Sequence, residues 1–167
     1  LDGGLKKWRQ EGKPIVNYET IISRSNYKAL ENKKMVKSKI EIDKNIKQKN
    51  FKVVDARSYE RFKGIVPELR TNVKSGSIKG SYCLPFTKII NKNNNTFKNK
   101  DELNQVFKEV INTEDNNIVF SCGSGVTASV LALAYSLINN KYTPTIYDGS
   151  WSEYGLIKWK DQQKYYQ

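Results

Sequence analysis

The chain predicts an α/β fold, a central parallel sheet flanked by helices on both faces, and three observations carry that expectation. Short runs rich in branched and aromatic residues at 51–55, 117–121 and 145–148 read as strands buried in a sheet. Segments with helical periodicity separate these runs, which is the order of a parallel sheet with crossover helices. Asp55, Cys122 and Asp148 stand at or just past the ends of the three runs. They would emerge beyond the carboxyl ends of the strands, where open parallel sheets bind ligands.

Taken in order, residues 27–36 predict an edge strand, and 39–49 a short lysine-rich helix with Ile40, Ile42 and Ile46 as its apolar positions. Phe51-Lys52-Val53-Val54-Asp55 is a strand ending in an acid, followed by Ala56-Arg57 and a helical turn over 58–62. Residues 64–80 form a long polar loop, and 80–85 a short strand stopped by Pro85. Residues 100–110 place Leu103, Val106, Phe107 and Val110 on one helical face. Residues 117–121 are a buried strand, 129–138 a helix buried on most of its surface, and 145–148 the last strand.

Cys122 lies between the strand at 117–121 and the helix that follows, in Cys122-Gly123-Ser124-Gly125-Val126-Thr127-Ala128. Gly123 and Gly125 allow a tight curl in which successive N–H groups converge, and the helix N-terminus adds unpaired donors. Such a cradle lowers a thiol pKa and holds the negative group that the sulfur carries or attacks. The residues alone also allow a core cysteine beside turn glycines. Thr127 reads as a cap of the helix that also donates to the sulfur, or as a cap alone.

Composition narrows the function classes. Lys plus Arg is 29 against 17 acidic residues, a formal charge of +12. The excess is lysine scattered among asparagine, as in KIINKNNNTFKNK at 88–100, without the aromatic interleaving that stacks bases. Solvated surface with an attraction for small anions is expected, and nucleic acid is not. No run approaches the ~18 apolar residues of a membrane span. The two cysteines, Cys83 and Cys122, make no disulfide framework and bring no cluster of metal ligands, so neither metal nor cofactor is expected and a reducing cytoplasm is the expected compartment. The chain has no histidine, so it can build no Cys-His base by itself.

An internal echo bears on domain organisation. Leu1-Asp2-Gly3-Gly4-Leu5-Lys6-Lys7-Trp8 matches Tyr147-Asp148-Gly149-Ser150-Trp151-Ser152-Glu153-Tyr154 in pattern. Residues 1–25 are therefore expected to be the tail of a preceding, missing repeat plus a linker, with 26–167 the catalytic unit. The absence of an initial Met is consistent with upstream residues having been removed.

Several ordered motifs together carry a family resemblance. Asp55-Ala56-Arg57, Arg61-Phe62-x-Gly64, Ser75-Gly76-x-Ile78-x-Gly80-Ser81, Leu84-Pro85, the Cys122 loop and Tyr147-Asp148-Gly149-Ser150-Trp151 resemble the C-terminal, catalytic rhodanese domain of two-domain sulfurtransferases. The similarity runs from about Tyr27 to Lys160, and residues 1–8 resemble the end of the inactive first rhodanese domain. Cys-Gly-Ser-Gly-Val-Thr is most like the 3-mercaptopyruvate sulfurtransferases, whereas thiosulfate enzymes place basic residues where Gly123 and Ser124 stand. One departure is Ser77, where the family commonly has His.

The resemblance implies that Cys122 takes a sulfane sulfur as a persulfide from 3-mercaptopyruvate or thiosulfate. It would then pass that sulfur to a small thiol, a thioredoxin-like protein or cyanide. The amides from Gly123 to Ala128, including those of Ser124, Gly125, Val126 and Thr127, would hold the persulfide anion. Arg61 and Arg70 match the arginines that clamp the donor carboxylate and carbonyl, for which a guanidinium fork suits a planar carboxylate. Ser124 matches a serine that works with an Asp-His pair of the first domain. Asp55 and Arg57 are expected to brace the loop from beneath, Asp148 to form a turn, and Trp151 either to wall the pocket or to fill a seam. Cys83 is expected to be buried and inert. A phosphatase would need an Arg at the end of this loop to grip phosphate, and none stands from Gly123 to Ala128. A thiosulfate sulfurtransferase and a non-catalytic interaction module remain the alternative readings.

Overall fold

The computed structural model describes residues 1–157. The resemblance beyond 157, as far as Lys160, and the end of the expected catalytic unit at 167 lie outside the described residues. Five strands form one sheet in the order β1-β5-β4-β2-β3: β1 Val36–Lys37, β2 Lys52–Asp55, β3 Tyr82–Cys83, β4 Ile118–Ser121 and β5 Ile146–Tyr147. Every neighbouring pair is parallel, and the central pair registers Lys52 with Ile118 and Asp55 with Ser121.

Alternation along the two central strands divides the core. Val54 and Phe120 face the helices α4 (Lys100–Lys108) and α5 (Val126–Ser136), packing with Leu103, Phe107, Leu131 and Tyr135. Phe107, Phe120, Tyr135 and Tyr142 meet edge-on or tilted there, with ring centroids 4.8 Å apart for Tyr135 and Tyr142. Val53 and Val119 face the opposite side, where Ile42 of α2 (Lys39–Gln48), Ile78, Tyr147 and Trp151 cover them. Helices thus lie on both faces, as expected. A capping box of Ser38 and Glu41 starts α2, and one of Asn99 and Glu102 starts α4.

Three departures from the sequence-based expectations matter here. The edge strand expected over 27–36 is only Val36–Lys37, because residues 27–32 are exposed and pair with no strand. Ile40 is 66% exposed, so α2 buries Ile42 and not Ile40. The helix α5 begins at Val126 and not at 129, since Gly125, with φ 82°, turns the chain directly into it.

Two more helices frame the site. Ser58 caps α3 (Tyr59–Lys63), which Gly64 ends at φ 71°, and α6 is Ser150–Tyr154. The polar loop 64–80 is tied across the sheet end: Val73 bridges Leu156, and the Lys74 N–H donates to the Gly155 carbonyl at 2.9 Å. The echoed segments share one backbone feature, although the residues before it, Gly3 (φ 86°) and Gly149 (φ −56°), differ. Gly4 (φ 59°) opens α1 (Gly4–Gln10) and Ser150 (φ 50°) opens α6, each at the same place in the pattern. The Asp2 carboxylate accepts from the Phe97 N–H at 2.9 Å, so the first residues lie against the unit that carries the sheet.

Candidate active site at the Cys122 loop

β4 delivers Cys122 to the end of the sheet, and the sulfur residue is 2% exposed. Burial pushes the Cys122 thiol up, but the Thr127 hydroxyl and the N–H groups of Ser124, Ala128 and Thr127 outweigh it and hold the pKa below the ordinary thiol value. Two expectations need correction. Thr127 does not cap α5; Gly125 occupies the N-cap position without a side-chain bond, and the Thr127 hydroxyl turns to the sulfur. The Gly125 amide does not join the cradle, because the Ser150 hydroxyl accepts from it and from the Cys122 N–H, both at 3.1 Å.

Arg61 from α3 and Arg70 from the following loop converge on this turn. A Cβ placed on Gly123 would stand 3.1 Å from Arg70 Nη1 and 3.5 Å from Arg61 Nη2. Both arginines, Cys122, Ser124, Val126, Thr127 and Arg57 line one cleft of about 320 Å³. Ser124 is exposed at its rim, and Val126 is 71% exposed beside it.

Glu68, which sequence reasoning missed, holds both arginines. Its carboxylate is 2% exposed and accepts from Arg61 Nη2 at 2.6 and 2.8 Å, with Arg70 Nη1 at 3.4 Å and Arg57 Nη1 at 3.5 Å. Burial pushes the carboxyl up, but the hydrogen bonds and charge of Arg61 prevail and lower it. The available signal was charge balance: two arginines aimed at one small cleft need an anion, and Glu68 lies between them in sequence. Ser150 was also missed, and its signal was a serine where the echoed segment has Gly4.

The remaining residues support the loop from below and behind. Asp55 accepts from Arg57 Nε at 3.1 Å and from Arg57 Nη2 at 2.7 Å, both residues being buried. Arg57 also donates to the Gly76 carbonyl at 2.7 Å and lies 4.8 Å over the Trp151 ring. Trp151 is 2% exposed, donates from Nε1 to the Lys74 carbonyl, and is not among the cleft residues; it fills the seam. Asp148 is exposed and abuts Gly125 so closely that a Cβ there would meet its Oδ1 at 2.6 Å. Cys83 is half-buried and donates to the Arg57 carbonyl at 3.6 Å, with its thiol pushed up to about 11 by burial first and then by Asp55. Among the described residues no helix is long and apolar enough to cross a membrane.

Comparison with known proteins agrees with this geometry. The profile of the rhodanese-like domain matches residues 38–156. The 3-mercaptopyruvate sulfurtransferase of Mus musculus is 34% identical over 154 residues, 92% of this chain and 51% of that protein. The thiosulfate sulfurtransferase of Gallus gallus is also 34% identical over 154 residues, 92% of this chain and 52% of its own length. The chain therefore spans about half the length of these relatives. Among solved structures, the 3-mercaptopyruvate sulfotransferase SseA of Escherichia coli superposes with a TM-score of 0.73 at 29% identity, over 92% of this chain and 56% of that one. The Tum1 protein of Saccharomyces cerevisiae shares the fold, with a TM-score of 0.76 at 24% identity over 93% and 59% of the two chains. With that match over most of its length, on a parallel sheet whose central strand delivers a cradled cysteine, the chain belongs to the rhodanese family.

Proposed function

We propose that this chain is the catalytic domain of a sulfurtransferase that moves sulfur from 3-mercaptopyruvate through a Cys122 persulfide to a thiol or cyanide acceptor. The observation that carries the reading is the meeting of Arg61 and Arg70 over Gly123, adjacent to a thiol held below its ordinary pKa. The Cys122 thiolate attacks the donor sulfur, the bond between that sulfur and C3 breaks, and its electron pair leaves as the pyruvate enolate. Protonation at C3 then gives pyruvate. The two guanidinium groups suit the donor carboxylate and the charge growing on the enolate oxygen. Arg61 Nε is buried without an acceptor among the described residues, a donor still to be filled. The N–H groups of Ser124, Thr127 and Ala128 suit the persulfide anion. An acceptor thiolate attacks the outer sulfur and returns Cys122 as thiolate.

In this reading residues 26–167 follow a first rhodanese repeat, which supplies the Asp and His that act with Ser124, and two free cysteines suit a reducing compartment such as the cytoplasm. Thiosulfate is the second donor to weigh, because relatives named for either donor match at the same 34% identity. The test uses the full-length protein. Treatment with 3-mercaptopyruvate should add one sulfur to Cys122 by intact mass and peptide mapping, and Cys122→Ser should abolish transfer. Arg61→Ala and Arg70→Ala should lower turnover of 3-mercaptopyruvate far more than of thiosulfate. Equal losses for both donors would point to a structural role for the arginines instead.

A further inference from the structure

Ser150 stands in a backbone conformation that its residue type disfavours. Its φ is 50°, and the same place in the echoed segment is held by Gly4 at φ 59°, a residue suited to that region. A strained non-glycine residue persists where its side chain does something that glycine cannot. Ser150 is fully buried, and its hydroxyl uses its whole capacity: it accepts from the N–H groups of Cys122 and Gly125 at 3.1 Å and donates to the Tyr147 carbonyl at 2.7 Å. The next two residues complete the seam, since the Trp151 N–H donates to the Cys122 carbonyl and the Ser152 N–H to the Gly123 carbonyl, both at 2.9 Å.

We infer that Ser150 is the positioning residue of the sulfur loop: its hydroxyl fixes the peptide planes before Cys122 and before Gly125, and so leaves the amides of Ser124, Thr127 and Ala128 aimed at the sulfur. The two amides it takes would otherwise be buried donors competing for the same thiolate or lacking a partner. Glycine at 150 would relieve the strain and remove the fixing bonds together. The inference rests on Cys122 carrying the transferred sulfur, but the hydrogen-bond geometry is independent of which donor supplies it. The Ser150 hydroxyl is fully used by Cys122, Gly125 and Tyr147, so the charged groups lining the cleft, Arg57, Arg61 and Arg70, do not depend on it for their placement.

The test compares Ser150→Gly and Ser150→Ala with wild type in the full-length protein carrying Cys83→Ser. Three readouts are taken: the pH profile of Cys122 alkylation by iodoacetamide, kcat/KM with each donor, and thermal unfolding. The alkylation profile should move up by about one pH unit in both variants, the scale of a lost hydrogen bond to a thiolate. In both variants kcat/KM should fall roughly tenfold or more, for 3-mercaptopyruvate and thiosulfate alike. Ser150→Gly should melt closer to wild type than Ser150→Ala, which keeps the strained φ. A wild-type alkylation profile in Ser150→Gly, whatever its melting temperature, would overturn the inference and leave Ser150 a structural residue. Should wild type take sulfur from neither donor, the transfer reading fails while the alkylation profiles still decide the role of Ser150.

Discussion

Replacing Gly123 pushes the two arginines away from the cysteine without mutating any of the three. Gly123 does not use a left-handed φ, so alanine is allowed by the backbone, and the loss of unfolded-state freedom stabilises by about 0.4–1 kcal/mol. The new Cβ would lie 3.1 Å from Arg70 Nη1, a tight contact with the end of a flexible side chain that is 42% exposed. Arg70 can yield by a few tenths of an ångström, so folding stability should change by less than about 0.5 kcal/mol. The clamp, however, moves with it. Since a misplacement of roughly 1 Å costs on the order of a hundredfold, kcat/KM for 3-mercaptopyruvate should fall about three- to tenfold in Gly123→Ala. Gly123→Arg goes further by adding a third guanidinium. Two unit charges about 4 Å apart repel by ~4 kcal/mol near a protein surface, and solvent around the exposed Arg70 cuts that roughly in half, leaving a 30-fold loss or so. Thiosulfate needs no carboxylate clamp and should be turned over as well as before, or better. Steady-state kinetics of the full-length variants with both donors, alongside urea melts, decide it. If Gly123→Arg lost both donors equally, or neither, the clamp would not be what Gly123 makes room for.

Glu68→Gln keeps the shape but turns an amide N–H toward three guanidinium groups; stability should drop by about 3 kcal/mol, as when one partner of a buried ion pair is removed, and KM for 3-mercaptopyruvate should rise more than kcat falls. Because the Glu68 pKa is lowered in the folded state, its contribution is present above the ordinary carboxylate value of 4.5 and is lost as pH falls through the depressed value. Acid unfolding curves should therefore be shallower in Glu68→Gln than in wild type over the window from 4.5 down to the depressed value, and parallel curves there would refute the assignment. Cys122 should be alkylated at neutral pH well before Cys83, whose thiol sits at about 11, and equal rates in peptide mapping would contradict the cradle.

The parts of the fold that were legible in the sequence are those fixed by local pattern. Ile118, Val119 and Phe120 are buried on both faces of a central strand, so an uninterrupted apolar run marks them. Leu103, Val106 and Phe107 share one face of α4 behind the capping residue Asn99. Where the sequence misled, a longer-range contact or its absence decided. The apolar residues Tyr27 and Leu30 fit a strand pattern, yet they are 84% and 94% exposed because the sheet ends at Val36–Lys37. The path of loop 64–80 depends on Val73 meeting Leu156, a pairing that no local signal announces.

The site shows the same division at the scale of single amides. Cys122 and its glycines could be picked out because residue type and spacing limit their chemistry, and the two arginines through the family resemblance. Which N–H groups face the sulfur could not, because that depends on which are already taken, and the competitor stands 28 positions along the chain from Cys122 at Ser150. A glycine-rich turn supplies more donors than an anion needs, and a buried acceptor placed behind it selects among them. The echoed segment shows the contrast within one molecule. Gly4 takes up a similar positive φ with no side chain, and there the Asp2 carboxylate accepts from the Phe97 N–H. A serine retained at such a φ, where glycine would fold more easily, therefore marks the segment on which an active loop leans.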